Sequence, residues 1–200
     1  LQIKVCQYES MVIQKHRDIE ETFDYFVSII GDKKLRSTCN SLYEYEDFWT
    51  HIASTEHHHC FPTGLILHTL EVADNAHHIS KHFSFCDKDI LITSALWHDL
   101  AKIWDYAKRT PSTDNSAEWE KTEFRARVHH VSGSNAEFTA NAIRFGVNRR
   151  IIQAIQHCII AHHCTKDWGS PRHPDSIEAI ILHQADMLSA KYPKFSSPII

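Results

Sequence analysis

The stretch "SALWHDLAKIW", residues 94–104, sets His98 beside Asp99 among apolar residues, with Lys102 one turn further on. Burying an imidazole, a carboxylate and an ammonium is costly unless each is paired or bound to a metal. The pattern recurs. His68 lies among Leu65, Ile66, Leu67 and Leu70; His129 and His130 open one helical stretch, and His162 and His163 close another. Asp186 sits within the apolar run "AIILHQADMLSA". Any one of these reads as a hydrogen-bonded core residue. Five stretches that each point a His or Asp inward are what a metal centre in a helical bundle needs. Mixed nitrogen and oxygen donors suit Mn, Fe, Co, Ni or Zn, and argue against a thiolate zinc site.

The elements that must position these groups are helical throughout. Apolar residues Ile19, Phe23, Phe26 and Ile30 recur at helical spacing within 11–30, and Gly31 with Asp32 ends that stretch. A second helical stretch covers 40–55, and "HHHCFPTG" is a loop broken by Pro62 and Gly64. A helix then runs through "LILHTLEVADNAHHISKHF", and Asp87 caps the next one, which carries His98 and Asp99. Polar residues 107–122 form an exposed loop, and helices follow at about 131–145 and 148–162. Past the loop "TKDWGSPRHP", Asp175 with Glu178 makes a capping pattern that opens a helix over 176–191. The expected fold is all-α: an N-terminal extension with one amphipathic helix over 1–40, a helical domain over 41–192 and a tail over 193–200.

Composition bounds the function. The 200 residues fit one domain, 42% hydrophobic, and a net charge of −4 gives no global basic field, so any nucleic-acid contact must be a local patch. Seventeen His are unusual, and they cluster at 57–59, 77–78, 129–130 and 162–163. Six Cys without a C-x-x-C pair read as reduced thiols of a cytoplasmic protein. There is no long apolar run for a membrane span and no signal peptide. The chain begins at Leu1, which suggests a piece cut from a longer protein.

The order His68, His98-Asp99, Asp186 resembles the HD superfamily of metal-dependent phosphohydrolases. The likeness extends from about His57 to Lys191. "HHHCFPTGLILHTLEVA", "ALWHDLAK" and "AHHCTKDWGSP" with "EAIILHQADMLSA" are similar to segments of the HD-domain 3′→5′ exoribonucleases of the YhaM type. "HHH" with "HTLEVA" is also similar to HD-type conjugative relaxases. Thr63, Ala101 and Cys164 stand where the pattern has Gly, and Leu67 where it has Glu. At Cys164 the change falls in a loop that can require positive φ.

The resemblance implies a single HD-domain bundle with its metal site in the core. His68, His98, Asp99 and Asp186 would hold one divalent ion; His130 and His162 would add a second, with Asp99 bridging. Neighbours on a helix diverge by about 100°, so His129 and His163 compete for those places or face substrate instead. Two cations would activate a water and offset the charge of a phosphoester in its transition state. Asp99 and Lys102 are the expected catalytic residues, Lys102 as a point charge on a phosphate oxygen. His58, His59, His163 and Trp168 are the expected substrate contacts, Trp168 by stacking a base. Arg125, Arg127 and Lys121 read as a solvated face, His157 has no evident role, and His183 reads as a partner of Asp186. The function implied is hydrolysis of nucleic-acid or nucleotide phosphoesters. A mononucleotide nucleotidase, a relaxase-like DNA nuclease and a di-iron oxygenase on the same ligands are the alternatives.

Overall fold

The computed structural model describes residues 19–109 and 118–191, and nearly every element in it is a helix. The described part of α1 covers 19–28. Then come α2 (Lys33–Asn40), a 3₁₀ turn (Ser41–Glu44), α3 (Glu46–Thr50), α4 (Gly64–Ser80), α5 (Lys88–Trp97) and α6 (Lys102–Asp105). Strands β1 (Tyr106–Lys108) and β2 (Trp119–Lys121) precede α7 (Glu123–Arg127), α8 (His130–Arg144), α9 (Arg149–Ala161), a 3₁₀ turn (Lys166–Trp168) and α10 (Ile177–Lys191). The expected N-terminal strand or linker, residues 11–18 of the first helix and the tail lie outside the described residues.

Polar residues set the helix starts. The Asp32 side chain accepts from the backbone of Lys34 and Leu35, Asp87 from Asp89 and Ile90, and Asn148 from Arg150. At α10 the cap is Ser176, whose Oγ accepts from Ala179 N at 3.2 Å. The expected Asp175–Glu178 box does not form there. Glu178 instead accepts from Asp87 N at 2.8 Å, and Asp175 pairs with His157 Nε2 at 2.7 Å. His157 thus pins the loop that leads into α10.

Helix α5 is the central element. It packs on α4, α9 and α10, and α4 in turn lies along α10. Leu91, Ile92, Leu96 and Trp97 are sealed in a core shared with Phe23, Phe26, Leu35, Phe138 and Leu182. Each such side chain contributes about 1.5–3 kcal/mol by leaving water. The stretch 94–104, expected as one helix, is broken at its polar residues. Helix α5 ends at Trp97, and α6 starts at Lys102. Between them the backbone tightens, with Leu100 N bonded to Trp97 O and Lys102 N to Asp99 O. The cause is a competing donor: His98 Nδ1 bonds to Ala95 O at 2.8 Å, inside the helix's own ladder.

Two further expectations change. The stretch 40–55 gives only the short turn and α3, because from His51 the chain extends and is tied back by Ala53 N to His59 O and Leu65 N to His51 O. The ends of the expected 107–122 loop pair as an antiparallel ribbon, Tyr106 opposite Lys121. Trp119 holds it, its ring 4.6 Å from that of His51 and under the Lys108 ammonium. Among the described residues no helix is long and apolar enough to cross a membrane. Cys39, Cys60, Cys86, Cys158 and Cys164 are free thiols. Cys6 lies outside the described residues.

Candidate metal centre

The tight turn after α5 puts Asp99 at the meeting point of four imidazoles. Its Oδ2 lies 3.2 Å from His68 Nε2 and 3.3 Å from His98 Nε2. Its Oδ1 lies 3.4 Å from His130 Nε2 and 3.7 Å from His162 Nε2. One carboxylate thus turns one oxygen to each pair of histidines. Asp186 Oδ1 stands 3.2 Å from His68 Nε2 on the first side. Helices α4, α8 and α10, the turn after α5 and the end of α9 each supply a group.

The other nitrogen of each ring is spoken for. Nδ1 of His98 bonds to Ala95 O, and that of His162 to Ile159 O at 2.6 Å. His130 Nδ1 bonds to Asp105 Oδ2 at 2.6 Å. His68 Nδ1 bonds to Ser189 Oγ at 2.9 Å, and that hydroxyl donates onward to Glu71 Oε2 at 2.6 Å. Carbonyl and carboxylate oxygens only accept, so each Nδ1 carries the proton. All four Nε2 lone pairs therefore face Asp99. Those four nitrogens and Asp99 Oδ1 are buried without a hydrogen-bond partner among the described residues, and Asp99 Oδ2 has the Lys102 ammonium beside it at 2.6 Å. Such a set of orphaned donors fits a metal ion or a pair of ions by position and by chemistry. Asp99, His130, His162 and His163 bring ligand atoms within 4.8 Å of one another, as do His68, His98 and Asp186.

The electrostatics agree. Burial alone would raise the Asp99 carboxyl, but the neighbouring His98 and Lys102 outweigh it and hold it well below the usual range. Burial pushes the His130 and His162 imidazoles well down, so both stay neutral, as ligands must. Burial opposes the charge on Lys102, yet Asp99 and Asp186 raise its pKa above the ordinary value. Lys102 is no solvated helix-end residue: it is 6% exposed, with Nζ 2.6 Å from Asp99 Oδ2.

A cavity of roughly 600 Å³ opens over this cluster. Lys102, His130 and Asp186 reach its floor, His58 and His163 its wall, and Trp168 its rim, 54% exposed. Trp168 thus does not anchor its loop by burial; its carbonyl accepts from His163 Nδ1. His58 lies with its ring centroid 4.6 Å from that of His68. His59, expected beside His58 as a substrate contact, is a correction: it is 2% exposed and turns to Glu71, with Nε2 3.4 Å from Oε1. His183 does not reach Asp186; its Nδ1 bonds to His162 O at 2.6 Å and fixes the end of α9.

Sequence reasoning missed several groups. Glu71 and Ser189 set the His68 tautomer; Glu71 lies one turn after His68 on the same apolar helix, a spacing that could have flagged it. Asp105 and Arg125 bond each other at 2.9 Å beside His130, and no local pattern in the sequence signals that pairing. Asp105, His129 and His130 also bring ligand atoms together, but the guanidinium places a fixed positive charge there. His129 itself is strained, at φ 67° and ψ 143°, with its ring tilted against that of His130 and the centroids 4.1 Å apart. Gly169 makes room for it: a Cβ there would lie 2.6 Å from His129 Cε1. Gly133 does the same for the turn after α5, since a Cβ on it would lie 2.7 Å from the Cβ of Ala101.

A buried carboxylate shared by two histidine pairs, in a helical core, with a histidine-aspartate doublet at its centre, marks a family. The chain belongs to the HD domain family, whose model matches residues 65–191, a span that includes His68, His98, Asp99, His130, His162 and Asp186. HD domains are metal-dependent, and this cluster can hold the ions. Among curated proteins the chain is similar to the 3′-5′ exoribonuclease YhaM of Bacillus pumilus (strain SAFR-032), at 29% identity over 192 residues. The aligned part is 95% of this chain and 59% of that protein, so the chain spans about three fifths of the relative's length. No solved structure matches the chain significantly.

Proposed function

We propose that the protein is a divalent-metal-dependent phosphodiesterase that hydrolyses the phosphodiester bonds of nucleic acid, with RNA as the favoured substrate. The observation that carries this reading is the placement of Asp99, one oxygen towards His68 and His98 and the other towards His130 and His162, beneath a cavity walled by cationic and histidine side chains. His68, His98, Asp99 and Asp186 would hold one ion, and Asp99, His130 and His162 a second. Mn, Fe, Co, Ni and Zn all suit such ligands. When bound, the metal ions supply a nucleophile at neutral pH and offset phosphate charge.

The chain's own groups do the rest. Lys102, held charged and desolvated against Asp99, presents a point charge to a non-bridging phosphate oxygen. His58 and His163 on the wall supply hydrogen bonds to the substrate, and Trp168 at the rim offers a face on which a base can stack. The RNA preference follows the relative's name, an exoribonuclease. The test is metal analysis of the native protein together with Mn²⁺-loaded hydrolysis of RNA, DNA and mononucleotides side by side. Two ions per chain and cleavage of RNA support the reading. A chain that binds no transition metal, or that cleaves no phosphoester when loaded, refutes it.

A further inference from the structure

Arg125 was expected on a solvated helix face, and the structure puts it elsewhere. Its NH1 lies 2.9 Å from Asp105 Oδ2 and 2.8 Å from the Tyr106 hydroxyl, and its guanidinium sits 5.1 Å over the Tyr106 ring. Asp105 is 0% exposed, and the same Oδ2 accepts from His130 Nδ1. The guanidinium is therefore fixed one imidazole ring away from Asp99. Both bonds use NH1; among the described residues Nε and NH2 have no hydrogen-bond partner. The side chain keeps 29% of its surface open and lines the cavity beside Lys102 and Lys166.

We propose that Arg125 is a substrate-binding residue that grips a second phosphate of the substrate, next to the one under attack, and so favours a polynucleotide over a single phosphoester. This rests on the phosphodiesterase reading above. A guanidinium presents a planar fork suited to two phosphate oxygens. Here the fork is held in place before substrate arrives, so little side-chain entropy is lost on binding. Lys102 already stands over Asp99 for the scissile phosphate, and Arg125 lies to one side, past His130. If Arg125 served only to balance Asp105, it would need neither an open surface nor two unused nitrogens.

The experiment compares wild type, Arg125→Ala, Arg125→Gln and a control, Arg150→Ala, on an exposed site. One arm measures binding of a fluorescein-labelled phosphorothioate oligoribonucleotide by anisotropy in EDTA, over a salt series. Arg125→Ala and Arg125→Gln should each weaken binding about ten-fold and reduce the slope of log K against log salt by about one, with Arg150→Ala near wild type. The other arm measures Mn²⁺-loaded kinetics on that oligonucleotide's cleavable form and on bis(4-nitrophenyl) phosphate, which has one phosphate. KM for the oligonucleotide should rise about ten-fold more than KM for the small ester, because any disturbance of Asp105 and His130 acts on both substrates alike. Gln keeps the apolar stem without the charge, so the two variants separate loss of charge from loss of local packing. Unchanged oligonucleotide binding, or an equal loss on both substrates, overturns the proposal. A wild type that cleaves neither substrate but binds the oligonucleotide through Arg125 would sink the phosphodiesterase reading and leave the phosphate site standing.

Discussion

The Ser189 hydroxyl ties α10 to His68 and Glu71 on α4, and removing it gives a clean number. It is 1% exposed, accepts from His68 Nδ1 at 2.9 Å and donates to Glu71 Oε2 at 2.6 Å. Ser189→Ala deletes one oxygen and leaves no cavity of consequence. The bond to the Glu71 carboxyl contributes about 1–3 kcal/mol and that to His68 about 1 kcal/mol. A loss of about 3 kcal/mol in the metal-free protein lowers the melting midpoint of a chain this size by about 6–12 °C. His68 also loses the contact that fixes its tautomer, so metal affinity should fall about 10–100-fold. Urea titration of the metal-free protein reads the first effect, and calorimetric titration with Mn²⁺ reads the second. The control is Ser132→Ala, on the exposed face of α8, which should do neither. If Ser189→Ala stays within about 0.5 kcal/mol of wild type and binds Mn²⁺ equally well, the relay through Glu71 plays no part and the tautomer argument for His68 fails.

Other outcomes follow from the same geometry. Metal at about 100 times its Kd should stabilise the fold by about 2.7 kcal/mol, so EDTA should lower the melting midpoint by about 5–11 °C; no shift would mean the buried Nε2 cluster holds no ion. Thr63 and Cys164 sit at φ 68° and 67°, where an L-residue costs about 1–2 kcal/mol; Thr63→Gly and Cys164→Gly should each raise the midpoint by about 2–4 °C, and a fall in calorimetry would contradict the strain argument. Burial holds His130 and His162 well below 6.5 and His129 at about 4. These rings stay neutral when folded while their unfolded counterparts take up protons. Stability of the metal-free protein should therefore drop as pH falls from about 6.5 towards 4, against two opposing groups: His68, whose pKa Asp186 and Asp99 raise in spite of burial, and Asp105, whose carboxyl burial raises to about 6. Urea midpoints that stay flat or rise between pH 7 and pH 5 would show that these histidines are not buried neutral.

How far the sequence reaches depends on the range of the interaction. Helical periodicity found α4, α8, α9 and α10 to within three residues at each end, because each buries apolar residues at helical spacing. It failed at 98–101, where His98 Nδ1 takes a carbonyl from its own helix and the break depends on a tautomer rather than on a pattern. The β1–β2 ribbon was equally out of reach. Its six residues are held by Trp119 against His51, nearly seventy positions away, and nothing local to 106–121 signals it.

The cluster itself was more legible than the chain around it, for a reason of cost. A His or Asp among apolar residues is expensive, so five such positions on five stretches already imply mutual satisfaction. The resemblance to HD proteins then picked six side chains on those stretches, and each lies at Asp99 or within reach of it. The residues that aim them carry no such signal. Ser189 and Asp105 look like ordinary polar residues near helix ends, and their meaning lies in which Nδ1 they hold. His59 shows the converse: in a run of three histidines it reads like His58, yet a φ of 48° turns its ring away from the cavity and towards Glu71. One backbone angle thus separates a cavity wall residue from a buried partner of the His68 relay, and sequence proximity cannot distinguish the two.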